Sequence, residues 1–338
     1  KNELEIRSAL ERDVMAERWT RLDRAIARQA DETGLIDLRP SPADRTNPEI
    51  RRLMIGRLQR LERLGLAAPE GAARWAVNEE AEQALRDLGL RRDTVTTMHR
   101  VLAEQGIERP IADYVIYGQQ DRPEVTGRLV GKGMHDELTG EAYAVIDGVD
   151  GRVYYVRFPD LDRLDLAPHT GGIIATRSIG TEDKSRSSLV LSLRSDLTLD
   201  AQVTAGGATW LDHQLLVREK TSLSEGGFGR EVRKALNERI DHLASEGLVR
   251  RQGNRVVFAR DLLGRLRRRE LDATAASLAA ETGLAHRPLA EGETIAGTYR
   301  KRLSLASGRF AMIDDGLGFS LVPWRPVLER QLGRQVAG

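Results

Sequence analysis

Several residue types are absent or scarce in these 338 residues, and each absence narrows the choice of function. The sequence has no cysteine, which excludes disulfides, thiolate metal sites and a cysteine nucleophile, and fits a cytoplasmic setting. No apolar run is long enough to cross a bilayer, and the start at Lys1 lacks the apolar core of a signal peptide. The length predicts roughly two to three domains, each able to bury a core.

Motifs that would identify a reaction are also absent. The sequence has no G-x-S-x-G elbow and no carboxylate pair that stands out from its acidic background. Gly127–Gly133 resembles a phosphate loop, but it has one residue too few between its glycines and no Ser or Thr after Lys132. The six histidines share no metal-ligand spacing: His99, His135, His169, His213, His242 and His286. We therefore predict no catalytic residue, no metal, no cofactor and no enzyme activity.

Lysine is scarce, and arginine dominates the basic residues. Only six of the 52 basic residues are lysine. Arginine suits forked contacts with phosphates and carboxylates, although GC-rich coding would produce the same bias. The net charge of +1 does not indicate a polyanionic partner, but residues 224–269 carry 12 basic against 6 acidic residues, and residues 45–63 carry 6 against 2. Local basic excess is therefore the first indication of a partner.

The chain contains an internal repeat. Residues 57–67 and 239–249 both fit the pattern R-[LI]-x-x-L-x-x-x-G-L-[AV]. A strand pattern follows each of them, at Tyr143–Asp147 and at Phe310–Asp314, with a glycine on either side. A duplicated helical-plus-β unit favours a long, repetitive partner over a single catalytic pocket.

Each copy of the helical motif is followed by the pattern of a small hairpin. In the first copy we predict a helix over 3–31 and a second, basic helix that begins at Asn47-Pro48-Glu49 and ends at Gly65. In the second copy Gly247 closes the basic helix, and a hairpin turns around Gln252–Asn254. Helix, basic helix and hairpin in this order are typical of a winged helix.

Short strands occupy the region between the two helical units. The predicted strands are Val125–Leu129, Ala142–Ile146, Arg152–Phe158, Gly172–Arg177 and Leu189–Leu193. Five short strands at this spacing indicate a small barrel of the SH3 or OB type, and residues 295–324 repeat a shorter version of it.

We therefore predict an α+β fold in which duplicated winged-helix modules alternate with small SH3- or OB-like β-barrels. The predicted domains are 1–110 (N-terminal helices and first winged-helix module), 111–200 (first barrel), 201–288 (second winged-helix module) and 289–338 (second, partial barrel).

The basic helices and hairpins supply the candidate DNA-binding residues. They are Arg51, Arg52, Arg57 and Arg60 in the first copy, and Arg230, Arg233, Lys234, Arg250, Arg251 and Arg255 in the second. These side chains would contact the phosphate backbone. The alternative is a solvated helix face, since Glu49, Glu62, Glu231 and Glu238 stand at spacings that allow intrahelical pairs. Winged helices also dock proteins, so this fold alone does not decide between the two roles.

Five segments resemble a known family. They are Glu104–Arg109, Gly207–Asp212, Ser224–Gly229, Phe258–Leu263 and Leu305–Gly316. They are similar to an uncharacterised region that follows the nuclease module in plasmid relaxase/mobilization nucleases of alphaproteobacteria, related to the Ti-plasmid virulence relaxase. The resemblance covers nearly the whole chain.

The resemblance implies a place in conjugation. Such relaxases nick one strand at a transfer origin with an N-terminal tyrosine and a metal-binding histidine cluster, and this chain has neither. It implies instead a non-catalytic accessory region that binds transfer-origin DNA during plasmid mobilization. The alternative is a region that docks relaxosome accessory proteins or the coupling protein of a type IV secretion system. We expect a cytoplasmic protein without membrane contact, whose parent is exported through such a system.

Overall fold

The computed structural model describes residues 2–31, 33–40, 47–117, 124–164, 167–179, 188–217, 221–253, 255–290 and 292–337. The chain divides into two compact units, Lys1–Thr97 and Met98–Gly338. The first predicted domain ends at residue 110, whereas the first compact unit ends at Thr97. The second unit contains the other three predicted domains, whose division stays a prediction.

The fold mixes helices and sheets, as the sequence predicts. The helices are α1 (Asn2–Met15), α2 (Arg21–Gln29), α3 (Pro48–Arg63), α4 (Ala81–Glu104), α5 (Leu199–Thr204), α6 (Trp210–Leu216), α7 (Gly227–Ser245) and α8 (Leu262–Thr282). The strands are β1 (Leu35–Asp37), β2 (Ala67–Gly71), β3 (Arg74–Val77), β4 (Tyr114–Ile116), β5 (Val125–Asp136), β6 (Glu141–Gly148), β7 (Val153–Phe158), β8 (Ile173–Ile179), β9 (Ser188–Ser195), β10 (Val249–Gln252), β11 (Arg255–Phe258), β12 (Ala296–Leu305), β13 (Gly308–Asp314), β14 (Phe319–Pro323) and β15 (Gln335–Ala337).

The first module consists of α1 to β3. The single helix predicted over 3–31 is wrong, because the chain leaves the helical conformation after Met15 and α2 begins after Thr20. Thr20 and Asp23 form a capping box, in which each side chain accepts a hydrogen bond from the backbone N–H of the other. The cap predicted for the next helix is confirmed, since the Asn47 side chain accepts from the N–H of Glu49 at 2.8 Å. The strand β1, which the sequence analysis did not identify, pairs with β3.

The second module, α5 to β11, repeats this arrangement. Thr209 and Asp212 form the same capping box at the start of α6. The predicted hairpin is confirmed, with Val249 opposite Phe258 and Gln252 opposite Arg255. The helix α7 packs Phe228 and other apolar side chains into the core of the module, as α3 does with Leu58 in the first module.

A fully buried arginine holds the first module together. Arg57 has an exposed fraction of 0%. Its Nε and Nη2 donate to the two carboxylate oxygens of Asp23, at 2.8 and 2.9 Å. The remaining N–H groups donate to the carbonyl oxygens of Val14, Ala16 and Arg18. All five guanidinium donors are therefore used, and the segment between α1 and α2 is tied to α3.

Arg239 does the same in the second module. It is 0% exposed and donates to Asp212 Oδ1 and Oδ2 at 2.9 and 2.8 Å. The carbonyl oxygens of Val203, Ala205 and Gly207 accept its other three hydrogen bonds. Arg57 and Arg239 are the first residues of the repeated sequence pattern, so the pattern marks a core contact.

The first sheet has the order β4-β7-β6-β5-β8-β9 and forms a half-barrel. The five strands predicted between residues 125 and 193 are confirmed. The edge strands β4 and β9 do not pair with each other within the described residues, so the small barrel predicted for 111–200 is present only in part, as this half-barrel. One face packs Leu129, Ile146 and Leu164 together. The other face packs Val145 against Val101 and Leu102 of α4.

The second sheet has the strand order β14-β13-β12-β15, and part of its strand pairing repeats that of the first sheet. In both sheets the first long strand has an irregularity in its pairing, between Leu129 and Gly131 in β5 and between Tyr299 and Lys301 in β12. β15 pairs with β12 as β8 pairs with β5. The segment that resembles a phosphate loop, Gly127–Gly133, lies within β5.

Polar contacts attach the second sheet to α8 and to Asp196, in the segment before α5. Glu270 of α8 accepts hydrogen bonds from the backbone N–H groups of Ala306 and Ser307, in the turn between β12 and β13. Arg309 and Asp196 form a pair that is 8% and 9% exposed. None of the described helices has both the length and the apolar character that crossing a bilayer requires.

The buried arginine of the second module gives a stability test. We expect Arg239→Met to lower the free energy of unfolding by about 3–5 kcal/mol, because it leaves Asp212 buried and unpaired. Arg251→Met is the matched control, since Arg251 is exposed, bonds Asp241 at the surface and should contribute less than about 1 kcal/mol. Urea unfolding followed by circular dichroism measures both variants. Equal losses would show that the buried pair does not hold the module.

A second test concerns the close approach of backbone in the two sheets. A Cβ atom at Gly127 or at Gly297 would lie 2.3 Å from the carbonyl oxygen of Asp147 or Asp314, respectively. We expect Gly127→Ala and Gly297→Ala each to cost about 1–3 kcal/mol of unfolding free energy. At Gly206 the nearest atom is 4.0 Å away, so Gly206→Ala should be close to neutral. Thermal unfolding of the three variants compares them, and three equal melting temperatures would contradict this account.

Candidate nucleic-acid interface

A partly buried ionic network connects the helix α7 to the first sheet. Asp147, at the end of β6, is 0% exposed and accepts hydrogen bonds from Arg109 and Arg128, each at 2.8 Å. Glu231 of α7 accepts from the same two arginines, at 2.7 and 2.9 Å. Burial opposes the charge of Arg109, but its bonds to Asp147 and Glu231 outweigh burial and raise its pKa. The network therefore anchors α7 to the first sheet. The face of α7 that carries Arg230 and Lys234 stays exposed to solvent.

The open face of α7 carries two of the predicted DNA-binding residues. Arg230 is exposed and has no hydrogen-bond or ion-pair partner for its guanidinium among the described residues. Lys234 is one turn further on and is 78% exposed, with its Nζ 3.6 Å from Glu238. A pair this long and this exposed leaves Lys234 available to a ligand. The first half of α7 therefore presents positive charge to solvent.

The outer face of the β10–β11 hairpin carries two more of the predicted DNA-binding residues, Arg250 and Arg255. Residues that lie directly opposite in a sheet share a face, and successive residues alternate between faces. Arg250 lies opposite Val257 and Arg255 lies opposite Gln252, so these four side chains share the face that turns away from the core. Neither arginine has an ion-pair partner among the described residues. We call Arg230, Arg250 and Arg255 the free arginines of the second module.

The other two candidates of the second copy are neutralised. Arg233 donates to Glu225 at 2.9 Å and to the carbonyl oxygen of Leu223. Arg251 donates to Asp241 of α7. Asp241 is on the exposed side of α7, so this bond also ties the hairpin to the helix. Arg233 and Arg251 hold the surface together more than they add charge to it.

In the first copy, few of the predicted DNA-binding arginines are exposed and unpaired. The prediction that Arg57 contacts DNA is wrong, because its guanidinium is buried and its five donors are used within the module. Arg60 is 22% exposed and lies 2.6 Å from Glu17. Arg51 is half-buried, and Arg52 is the exposed member of the four, without an ion-pair partner among the described residues. Arginines of the same helix, α3, thus have different roles, and their spacing in the sequence does not show which arginine has which role.

Sequence reasoning missed the arginines of α2. Arg21, Arg24 and Arg28 are all exposed, and their side chains have no ion-pair partner within the described part of the chain. The signal was present, because spacings of three and four residues place side chains on one helix face. The prediction of one long helix over 3–31 did not treat α2 as a separate helix, so its basic face was not recognised.

A polar cleft of about 460 Å³ beside α7 lacks the features of a ligand site. Its lining includes Arg128 and Lys234, but also Glu231, Glu238 and Asp200, so acidic side chains offset its positive charges. Among the described residues, no group of three or more histidine, aspartate or glutamate side chains could hold a metal ion. The exposed arginines are therefore the features that point most directly to a partner.

Comparison with known proteins identifies a family. A family model matches residues 54–188 and 175–338, and its description is "Protein of unknown function (DUF3363)". No curated protein and no solved structure matches the chain. The matched residues make up most of the sequence, and the chain therefore belongs to this family, DUF3363.

Proposed function

We propose that this chain is a non-catalytic accessory region of a conjugative relaxase and that its second module binds transfer-origin DNA. The observation that carries the proposal is the set of free arginines, Arg230, Arg250 and Arg255. The relaxase context comes from the sequence resemblance. Nicking of the DNA would belong to the catalytic module of the parent protein.

The order of elements supports a winged-helix arrangement for the second module. Helices α5, α6 and α7 are followed directly by the β10–β11 hairpin. In a winged helix the helix before the hairpin enters the major groove of the DNA, and that helix is α7 here. Arg230 at its start would contact the groove or its edge, while Arg250 and Arg255 would contact the backbone.

The free arginines favour a polyanion because their charge is not offset. An arginine that already bonds a carboxylate must break that bond before it binds a phosphate, whereas a free arginine only loses water and counterions. Release of the counterions condensed on DNA then drives binding and makes it sensitive to salt. Val257, which is 45% exposed between the two hairpin arginines, is the observation that favours docking to a relaxosome or type IV coupling protein instead.

The hairpin gives a direct test of DNA binding. Each phosphate contact contributes about 0.9 to the slope of log K against log salt on duplex DNA, so Arg250→Ala with Arg255→Ala should reduce the slope by about 2. Affinity at low salt should fall as well. Fluorescence anisotropy of the full chain with labelled duplex and single-stranded transfer-origin DNA, against scrambled DNA, measures both quantities.

The matched control removes two charges that are already paired. Arg268→Ala with Arg287→Ala changes net charge equally, but these arginines bond Asp261 and Asp315. If both double variants lose the same affinity and slope, the hairpin face is not a DNA contact. If the parent does not bind DNA at low salt, the proposal fails, and a pull-down of relaxosome and coupling proteins tests the docking alternative.

A further inference from the structure

The helix α2 of the first module has an unusually one-sided charge. Its nine residues, Arg21–Gln29, include three exposed arginines, at positions 21, 24 and 28. At 100° per residue these three side chains fall within an arc of about 60° and extend along roughly 10 Å of the helix axis. They form one face, which we call the α2 arginine face.

The acidic residue of α2, Asp23, does not lie on the α2 arginine face. Asp23 is 1% exposed and accepts hydrogen bonds from Thr20 and from Arg57 in the interior. Its charge is balanced there by the Arg57 guanidinium. Of the described acidic residues that flank α2, Glu17 pairs with Arg60, and Asp31 bonds Thr33 and forms no ion pair with an arginine of α2. The arginines of the outer face therefore keep their full charge.

Several surface arginines on other helices are instead paired with a glutamate of their own helix. Arg7, Arg86 and Arg100 each form an ion pair with a glutamate four residues away in the same helix. In α2 the neighbours at three and four residues are arginines, and like charges at these spacings destabilise a helix. An arrangement that lowers helix stability is expected to have another use.

The fold itself does not require these arginines. The capping boxes align Thr20 with Thr209 and Asp23 with Asp212, so the second module provides an internal comparison. At the positions that correspond to Arg21, Arg24 and Arg28 it has Trp210, His213 and Val217. The same capping box and the same buried arginine form in the second module without a basic helix face.

We propose that the α2 arginine face binds the phosphate backbone of a nucleic acid and gives the chain a second contact, independent of the β10–β11 hairpin. Guanidinium groups match phosphate oxygens in forked geometry. A membrane surface fits less well, because a membrane-bound helix inserts an apolar face. The apolar residues Leu22 and Ile26 of α2 are 1% and 2% exposed and are used in the core. Two separate contacts on one chain would raise the overall affinity for a long nucleic acid.

The test compares two triple variants of the full chain. Arg21→Gln, Arg24→Gln and Arg28→Gln remove the α2 arginine face while keeping good helix-forming residues. Arg7→Gln, Arg86→Gln and Arg100→Gln remove three charges from arginines that are already paired. Circular dichroism and urea unfolding check that both variants fold. Salt titrations with labelled duplex and single-stranded DNA then give the affinity and the salt slope.

We expect the α2 variant to lose about 3 from the slope on duplex DNA, since three phosphate contacts contribute about 0.9 each. The control variant should keep the slope of the parent. The proposal is overturned if the α2 variant keeps the parent's slope and affinity, or if both triple variants change equally. It is also overturned if the α2 variant binds DNA normally but loses binding to vesicles that contain anionic lipid.

The hairpin variant separates this proposal from the one above. If Arg250→Ala with Arg255→Ala has no effect while the α2 variant loses slope, the DNA contact of the second module fails and the α2 contact stands. The opposite result overturns the α2 contact alone. If both variants lose slope, combining them should lower the slope by the sum of the two changes, because the residues lie on separate modules.

Discussion

The architecture of this chain depends on a buried arginine whose five donors are all used. In each module the guanidinium binds a capping-box aspartate and three backbone carbonyls, through Arg57 and Asp23 or through Arg239 and Asp212. A buried charge is costly unless it is paired and fully hydrogen-bonded, and this geometry meets both conditions. One side chain therefore fixes the chain segment before the first capped helix, that helix itself and the basic helix that follows. The surfaces on which the proposals rest are positioned by this contact.

The two copies share a core and differ at the surface. The repeated sequence pattern begins with the buried arginine and continues with residues such as Leu58 and Leu243, which pack inside. The exposed arginines without partners are not among the residues that the two copies have in common. Among the described residues they include the three arginines of α2 and Arg52 of α3 in the first module, and Arg230, Arg250 and Arg255 in the second. Duplication thus preserved the packing, while each copy acquired its own charged face.

Ionic contacts also decide which arginines remain available. Glu231 is occupied by Arg109 and Arg128, so it does not neutralise the adjacent Arg230. Asp23 is directed inward, so it does not neutralise Arg24. Conversely, Arg233 and Arg251 look equivalent to their neighbours in the sequence but bond Glu225 and Asp241. A nearly neutral chain can therefore present local positive faces, because its acidic residues are paired elsewhere.

The sequence by itself determined the mixed class, the duplication, five of the six strands of the first sheet and the helix that begins at Pro48. Those features follow from local patterns of period two or 3.6 and from capping residues, which act over a few residues. It did not reveal the break after Met15, the strand β1 or the burial of Arg57. Only the tertiary structure decided these, because an arginine's role depends on partners such as Asp23, 34 residues away. Whether an arginine is a core contact, an ion-pair partner or a free charge is set by what the fold brings to it.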